Sequence, residues 1–178
     1  AVTNYGVDPT FENSVSVFLG NGDGTFGART EYETGLLPRS VAIGDLNADG
    51  RADLAVANQN PYANTVSVLL GNGDGTLGAK TDYVAGDRPY SVAIGDLNGD
   101  GRLDLAVTSY GLHAVLVLLG NGDGTFAAKT DYGTGRRPHS VAIADLNGDG
   151  WPDLATASYE AHAASVLLGN GDGTFGAD

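Results

Sequence analysis

Small and large apolar residues alternate along Ser91-Val92-Ala93-Ile94-Gly95-Asp96, a polar glycine-bearing loop interrupts them, and alternation resumes at Asp104-Leu105-Ala106-Val107-Thr108. A period of two marks a strand with one face buried, so the pattern predicts two strands joined by the loop. The apolar run Ala114-Val115-Leu116-Val117-Leu118-Leu119 predicts a third strand. It leads into Gly120-Asn121-Gly122-Asp123-Gly124, whose glycines admit the positive φ of a hairpin turn, and a fourth strand is expected over Thr125–Tyr132. Frequent glycine and the period of two argue against helix.

The same order of elements returns along the chain. Asp-Leu-Asn begins at Asp45, Asp96 and Asp145, and Gly-Asn-Gly-Asp-Gly-Thr begins at Gly20, Gly71, Gly120 and Gly169. Both series advance by about 50 residues, the length of a propeller blade or long repeat. Four short antiparallel strands per unit, repeated radially, build a β-propeller. The expected fold class is therefore all-β, a β-propeller of four-stranded antiparallel blades with about 3.5 blades in the chain. Alignment of the units puts a partial blade at 1–35, blades at 36–86 and 87–135, and a second partial blade at 136–178. Ala1-Val2-Thr3-Asn4-Tyr5 matches Ala106-Val107-Thr108-Ser109-Tyr110, so the segment is expected to begin in a second strand, and Asp178, aligned with Lys129, to end in a fourth. Open blade faces invite aggregation unless covered. The expected cover is self-association into a homodimer or higher oligomer that completes the ring, or further sequence of a longer protein. A calcium-binding β-helix would repeat its glycine turn about every nine residues, which this chain does not.

The loop between the first two strands carries the chemistry. In Asp45-Leu46-Asn47-Ala48-Asp49-Gly50-Arg51-Ala52-Asp53, oxygen-bearing side chains stand at positions 1, 3, 5 and 9, with glycine at 6. A hard divalent cation takes six to eight oxygens at about 2.3–2.6 Å, and alternate residues of a tight loop can converge on it. The side-chain ligands expected for Ca2+ are Asp45, Asn47, Asp49 and Asp53, with the backbone carbonyl of Arg51. The second loop assigns the same roles to Asp96, Asn98, Asp100, Asp104 and the Arg102 carbonyl, the third to Asp145, Asn147, Asp149, Asp153 and the Trp151 carbonyl. About three ions per chain are expected. Position 12 is Val56, Val107 or Thr156 and not the bidentate glutamate of an EF-hand, so the Asp at position 9 must close the shell. The alternative is that these residues form Asx-turns in a tight hairpin. The turn aspartates Asp23, Asp74, Asp123 and Asp172 stand alone and read as hairpin residues, and Phe26, Leu77, Phe126 and Phe175 after them as packing between blades.

The stretch Val41-Ala42-Ile43-Gly44-Asp45-Leu46-Asn47-Ala48-Asp49-Gly50-Arg51-Ala52-Asp53-Leu54-Ala55-Val56 resembles the FG-GAP repeat, also called the VCBS-type repeat. The resemblance covers nearly the whole chain. It implies a propeller like that of integrin α subunits and of many secreted or surface bacterial proteins, with calcium between the first and second strands of a blade. Seven such blades would need about twice this length.

Composition narrows the function classes. The formal charge is −13, and nine of the 22 acidic residues are the loop aspartates; three dications would leave −7. Such a surface repels nucleic acid, which is not expected as a partner. Cysteine and methionine are absent, which excludes thiol catalysis, thiolate zinc sites and disulfides. No run of 18 apolar residues provides a membrane span.

In a four-strand meander the metal loop and glycine turn share one face, nearly invariant across copies, and the other connections share a second face that varies. Candidate ligand-binding residues lie on the varying face: Arg39, Tyr90 and His139 at the start of each first strand, and Tyr62, Tyr110, His113, Tyr159 and His162 between second and third strands. Tyr5, Asp8, Phe11 and Gln59 occupy the same connections. Aromatics, histidines and arginine suit a glycan or protein ligand. No nucleophile elbow or zinc-binding histidine pair is present and the three histidines fall in loops of different units, so no enzyme is expected. The reading is a calcium-stabilised propeller scaffold for extracellular or cell-surface binding or adhesion. A purely structural self-assembling module and a lectin with sugar pockets between blades are the alternatives.

Overall fold

A computed structural model describes residues 1–4, 13–60 and 62–176. Tyr5, Asp8, Phe11 and Asp178 lie outside the described residues. The fold is all-β, in four antiparallel sheets among the described residues. The first holds β1 (Val2–Asn4), β2 (Ser14–Val17) and β3 (Thr30–Glu33). The second holds β4 (Pro38–Gly44), β5 (Asp53–Asn58), β6 (Thr65–Leu69) and β7 (Thr81–Val84), and the third β8 (Pro89–Gly95), β9 (Asp104–Ser109), β10 (Ala114–Leu118) and β11 (Thr130–Gly133). The fourth holds β12 (Pro138–Ala144), β13 (Asp153–Ser158) and β14 (Ala163–Leu167) among the described residues. Each sheet is a meander in chain order. Among the described residues no helix is long and apolar enough to cross a membrane.

β4, β8 and β12 pack side by side, which places the first strand of each blade nearest the propeller axis. The core lies between blades. Leu46, Ala55, Val66 and Val68 of the second unit meet Val92, Leu105, Val107 and Leu118 of the third. Leu97, Val115 and Val117 of the third meet Leu154, Leu167 and Phe175 of the fourth in the same way. Alternation therefore has a directional meaning: one face of each sheet looks to the preceding blade and the other to the next. Phe126 meets Tyr83 edge-on at 5.2 Å and Phe175 meets Tyr132 at 5.3 Å, so both residues after the glycine turn pack across a blade boundary.

The fourth strand is shorter than the alternation predicts. Phe126 makes one isolated bridge to Gly120, the Ala127 N–H bonds the Leu119 carbonyl, and pairing with β10 resumes only at Thr130. The end sheets leave apolar groups in solvent. Leu146 is 52% exposed where its counterparts Leu46 and Leu97 are 1%, and Phe26 is 68% exposed where Phe175 is 8%.

Candidate functional site

The three acidic loops share one hydrogen-bond scheme. Asp45 accepts from the N–H of Asp49 and Gly50, Asn47 accepts from the Asp49 N–H, and Asp49 accepts from the Arg51 N–H. Asp96 and Asp100 repeat it, and in the third loop Asp145 accepts from the N–H of Gly148 and Gly150 and Asp149 from the Trp151 N–H. Backbone N–H groups of Gly150 and Gly148 hold the Asp145 carboxyl below the usual carboxylate range.

Asp53, Asp104 and Asp153 behave differently. Each is fully buried, and each ties the loop to the glycine turn of its own blade. One oxygen of Asp104 accepts from Leu97 N–H at 2.8 Å and the other from Gly120 N–H at 2.7 Å. Asp53 bonds Leu46 and Gly71, and Asp153 bonds Leu146 and Gly169, at the same lengths to within 0.1 Å. Burial lifts the Asp104 carboxyl above the usual range, against the two backbone hydrogen bonds, and the charges of Asp100 and Asp96 push the same way. The turn glycine is obligatory here, because a Cβ on Gly120 would stand 2.2 Å from the Leu103 carbonyl oxygen.

The donor set suits a hard cation in its chemistry: three carboxylates, an asparagine oxygen and a backbone carbonyl within nine residues. Among the described residues no three acidic or histidine side chains converge as a metal cluster. The physical reason is that the carboxylates cap backbone N–H groups, and the third faces the glycine turn. Each carboxylate oxygen keeps a second lone pair, so this capping does not use up the donors.

The four glycine turns close on themselves. Asp123 accepts from the Thr125 N–H at 2.9 Å and hydroxyl at 2.5 Å, and Asn121 donates to the same hydroxyl. Asp23, Asp74 and Asp172 repeat this. The threonine bonds hold all four carboxyls below their ordinary range.

On the opposite face the first strands begin with a proline and then a bulge. Pro38 pairs with Asn58 and Ser40 with Ala57, which leaves Arg39 as the extra residue; Tyr90 and His139 are the extra residues of β8 and β12. A bulge re-aims the side chain it carries. The result is a stacked row across three blades. The Arg39 guanidinium lies 4.3 Å over the Tyr90 ring, Tyr90 stacks on His139 at 4.2 Å, and His139 on Tyr159 at 5.1 Å. Tyr110 joins at 6.0 Å from Tyr90, and Arg137 lies over Tyr110 at 4.9 Å. Arg39 also donates to the Tyr90 hydroxyl, and Arg137 pairs with Glu160. Burial lowers the His139 pKa, and the Arg39 charge adds to it.

Five of the eight candidate ligand residues thus form one surface. Tyr62 is 94% exposed and stands outside the row. His113 is used structurally, its Nδ1 accepting from the Arg137 N–H. Asn13 and Asn64 do the same for Leu37 and Arg88, a series in step with the repeat that the sequence reading missed. His162, at the next position of that series, is exposed. A second unread feature is backbone strain. Leu37, Asn64, Arg88, His113, Arg137 and His162, all on this face, have φ between 50° and 58°. That left-handed region disfavours any residue with a Cβ.

A sequence profile described as FG-GAP-like repeat matches residues 5–56, 45–107 and 96–156. No curated protein gives a significant match. Among solved structures, the chain is similar to a lectin of Agrocybe aegerita whose structure concerns specific recognition of non-reducing terminal N-acetylglucosamine. Identity is 24% and the TM-score 0.60, over 93% of this chain and 45% of the lectin. The likeness is one of fold, and the chain spans less than half of the lectin's length.

Proposed function

The chain belongs to the FG-GAP-like repeat family, and we propose that it is a calcium-stabilised propeller scaffold of the extracellular space or cell surface that binds a ligand, glycan first, on its variable face. The observation that carries the reading is the stacked row from Arg39 to Tyr159. Aromatic rings ending in the exposed Tyr159 offer the flat apolar face and polar edge on which a sugar stacks and hydrogen-bonds. The fold is known to carry sugar recognition in the Agrocybe lectin. The role is binding, not catalysis.

Calcium would be held by the side chains of the three acidic loops with the carbonyls of Arg51, Arg102 and Trp151. When bound it neutralises crowded carboxylates, and its affinity for the folded loop adds to stability. The apolar faces around Phe26 and Leu146 are built like the buried interfaces between blades, which supports a second copy as their cover. Sedimentation of a soluble, folded monomer would overturn that part.

A glycan array with the assembled protein tests the central reading. Specific retention that Tyr159→Ala abolishes while folding is unchanged is the expected result; a blank array overturns it. A second reading, a lectin with pockets between blades, is favoured by a groove of about 410 Å³ between the third and fourth sheets, lined by Tyr132, Thr134, Leu167 and Phe175. Sugar binding that survives Tyr159→Ala and fails on Tyr132→Ala would select it.

A further inference from the structure

The charges of this acidic chain are segregated by face. The loop and turn face carries thirteen aspartates, the nine of the metal loops and the four of the glycine turns, against Arg51 and Arg102. The variable face carries Arg39, Arg88, Arg136 and Arg137 and all three histidines, against Asp87, Glu160 and Glu33 among the described residues. Arg29, Lys80 and Lys129 are neutralised along the outer strands by Glu31, Asp82 and Asp131.

The arginines sit at the blade-to-blade corners, where the pair before each proline runs Leu36-Leu37, Asp87-Arg88 and Arg136-Arg137. Arg88 and Arg137 hold φ of 54° and 57°, a conformation glycine would adopt without cost. Arg88 is exposed, and among the described residues its guanidinium pairs with no acid. Arg137 lies over Tyr110 with its charge paired to Glu160, while the Tyr110 N–H bonds the Arg88 carbonyl, so the acid-free Arg88 shares its corner with a ring. That combination matches a sugar bearing an anion: the ring takes the apolar sugar face, and the planar guanidinium takes a carboxylate or sulfate by charge-assisted hydrogen bonds.

We propose that the variable face selects acidic saccharides, bearing carboxylate or sulfate, over their neutral parents. This rests on the reading of that face as a glycan-binding rim.

The test uses the assembled protein on an array of uronic-acid and sulfated oligosaccharides, each paired with its neutral parent, at low and high salt. The expected result is about tenfold stronger retention of the acidic partner, weakened by salt and lost in Arg88→Gln with unchanged thermal unfolding. Comparison of the uronate and sulfate arms identifies the anion. Equal retention of neutral parents overturns the inference and leaves the glycan reading standing. A preference unchanged in Arg88→Gln and in Arg137→Gln overturns the site. Retention of immobilised oligoglutamate with none of the acidic sugars overturns the saccharide class in favour of an acidic peptide. An array blank for neutral and acidic members alike overturns the glycan reading and this inference together.

Discussion

The two faces of this propeller segment solve the same backbone problem in opposite ways. Among the described residues, thirteen of the fourteen glycines with positive φ lie in the acidic loops and glycine turns, where the chain must reverse tightly and Ala48 is the one residue with a Cβ in that conformation. On the variable face, the same left-handed conformation is held by leucine, asparagine, arginine and histidine. For the leucine and the arginines that conformation costs about 1 kcal/mol or more relative to glycine, while asparagine tolerates it better. Strain retained only where side chains differ between blades is what a recognition surface produces; glycine used wherever the loops are identical is what a structural rivet produces. The acidic face should therefore control stability, and the variable face should be nearly free to change without unfolding the chain.

Calcium gives the largest separation of the two. At a free concentration a hundredfold above the dissociation constant, each occupied loop is expected to add about 2.7 kcal/mol to unfolding free energy. Thermal unfolding with and without chelator measures it, and an unchanged midpoint, together with no heat of binding, would refute the metal assignment. Next is Asp104→Ala, which strands the N–H groups of Leu97 and Gly120 in a buried site and is expected to cost about 4 kcal/mol in urea unfolding. Gly120→Ala attacks the same joint from the other side, with its Cβ driven against the Leu103 carbonyl, and is expected to cost about 3 kcal/mol. If either substitution is neutral, the loop-to-turn staple does not hold the blade together.

That staple also shows what the sequence could and could not disclose. Strands, repeat and fold class were legible because a period of two and a recurring loop are local signals. The aspartates at position 9 were legible as acidic and as part of the loop, yet their bonds to Gly71, Gly120 and Gly169 were not, because those partners lie two strands further on. On the other face, alignment brought Arg39, Tyr90 and His139 together as equivalents, but nothing local announced the bulge that stacks them. Left-handed Arg88 and Arg137 were invisible for a related reason: positive φ is signalled by glycine, and here it is imposed by neighbours such as Asn64 and His113 that cap the corner.

Reversing that choice sharpens the contrast. Arg88→Gly is expected to stabilise the chain by about 1 kcal/mol while removing the preference for acidic ligands, a gain in stability bought with function. Ala48→Gly is the control on the other face, since Ala48 has φ of 57° where the sibling loops have Gly99 and Gly148, and it should stabilise by a similar amount with no effect on binding. If Arg88→Gly destabilises instead, the left-handed corner is not strained, and the contrast between the faces fails at that position.

The smallest effect separates the faces by pH. His139 has its pKa lowered by burial, with Arg39 adding to the shift, so the folded chain binds its proton less readily than the unfolded chain does. Stability contributed by neutral His139 is complete above the ordinary histidine value and is lost as pH falls from there through the lowered value of the folded chain, since protons then favour the unfolded state. The turn aspartates have lowered pKa values through their threonine bonds, so their contribution persists at that pH and is lost only below the ordinary carboxylate range. Urea unfolding between about pH 7.5 and 5.5 should thus show a slight fall that His139→Gln removes, while the turns stay intact. A fall of equal size in His139→Gln would assign it to groups outside the stacked row.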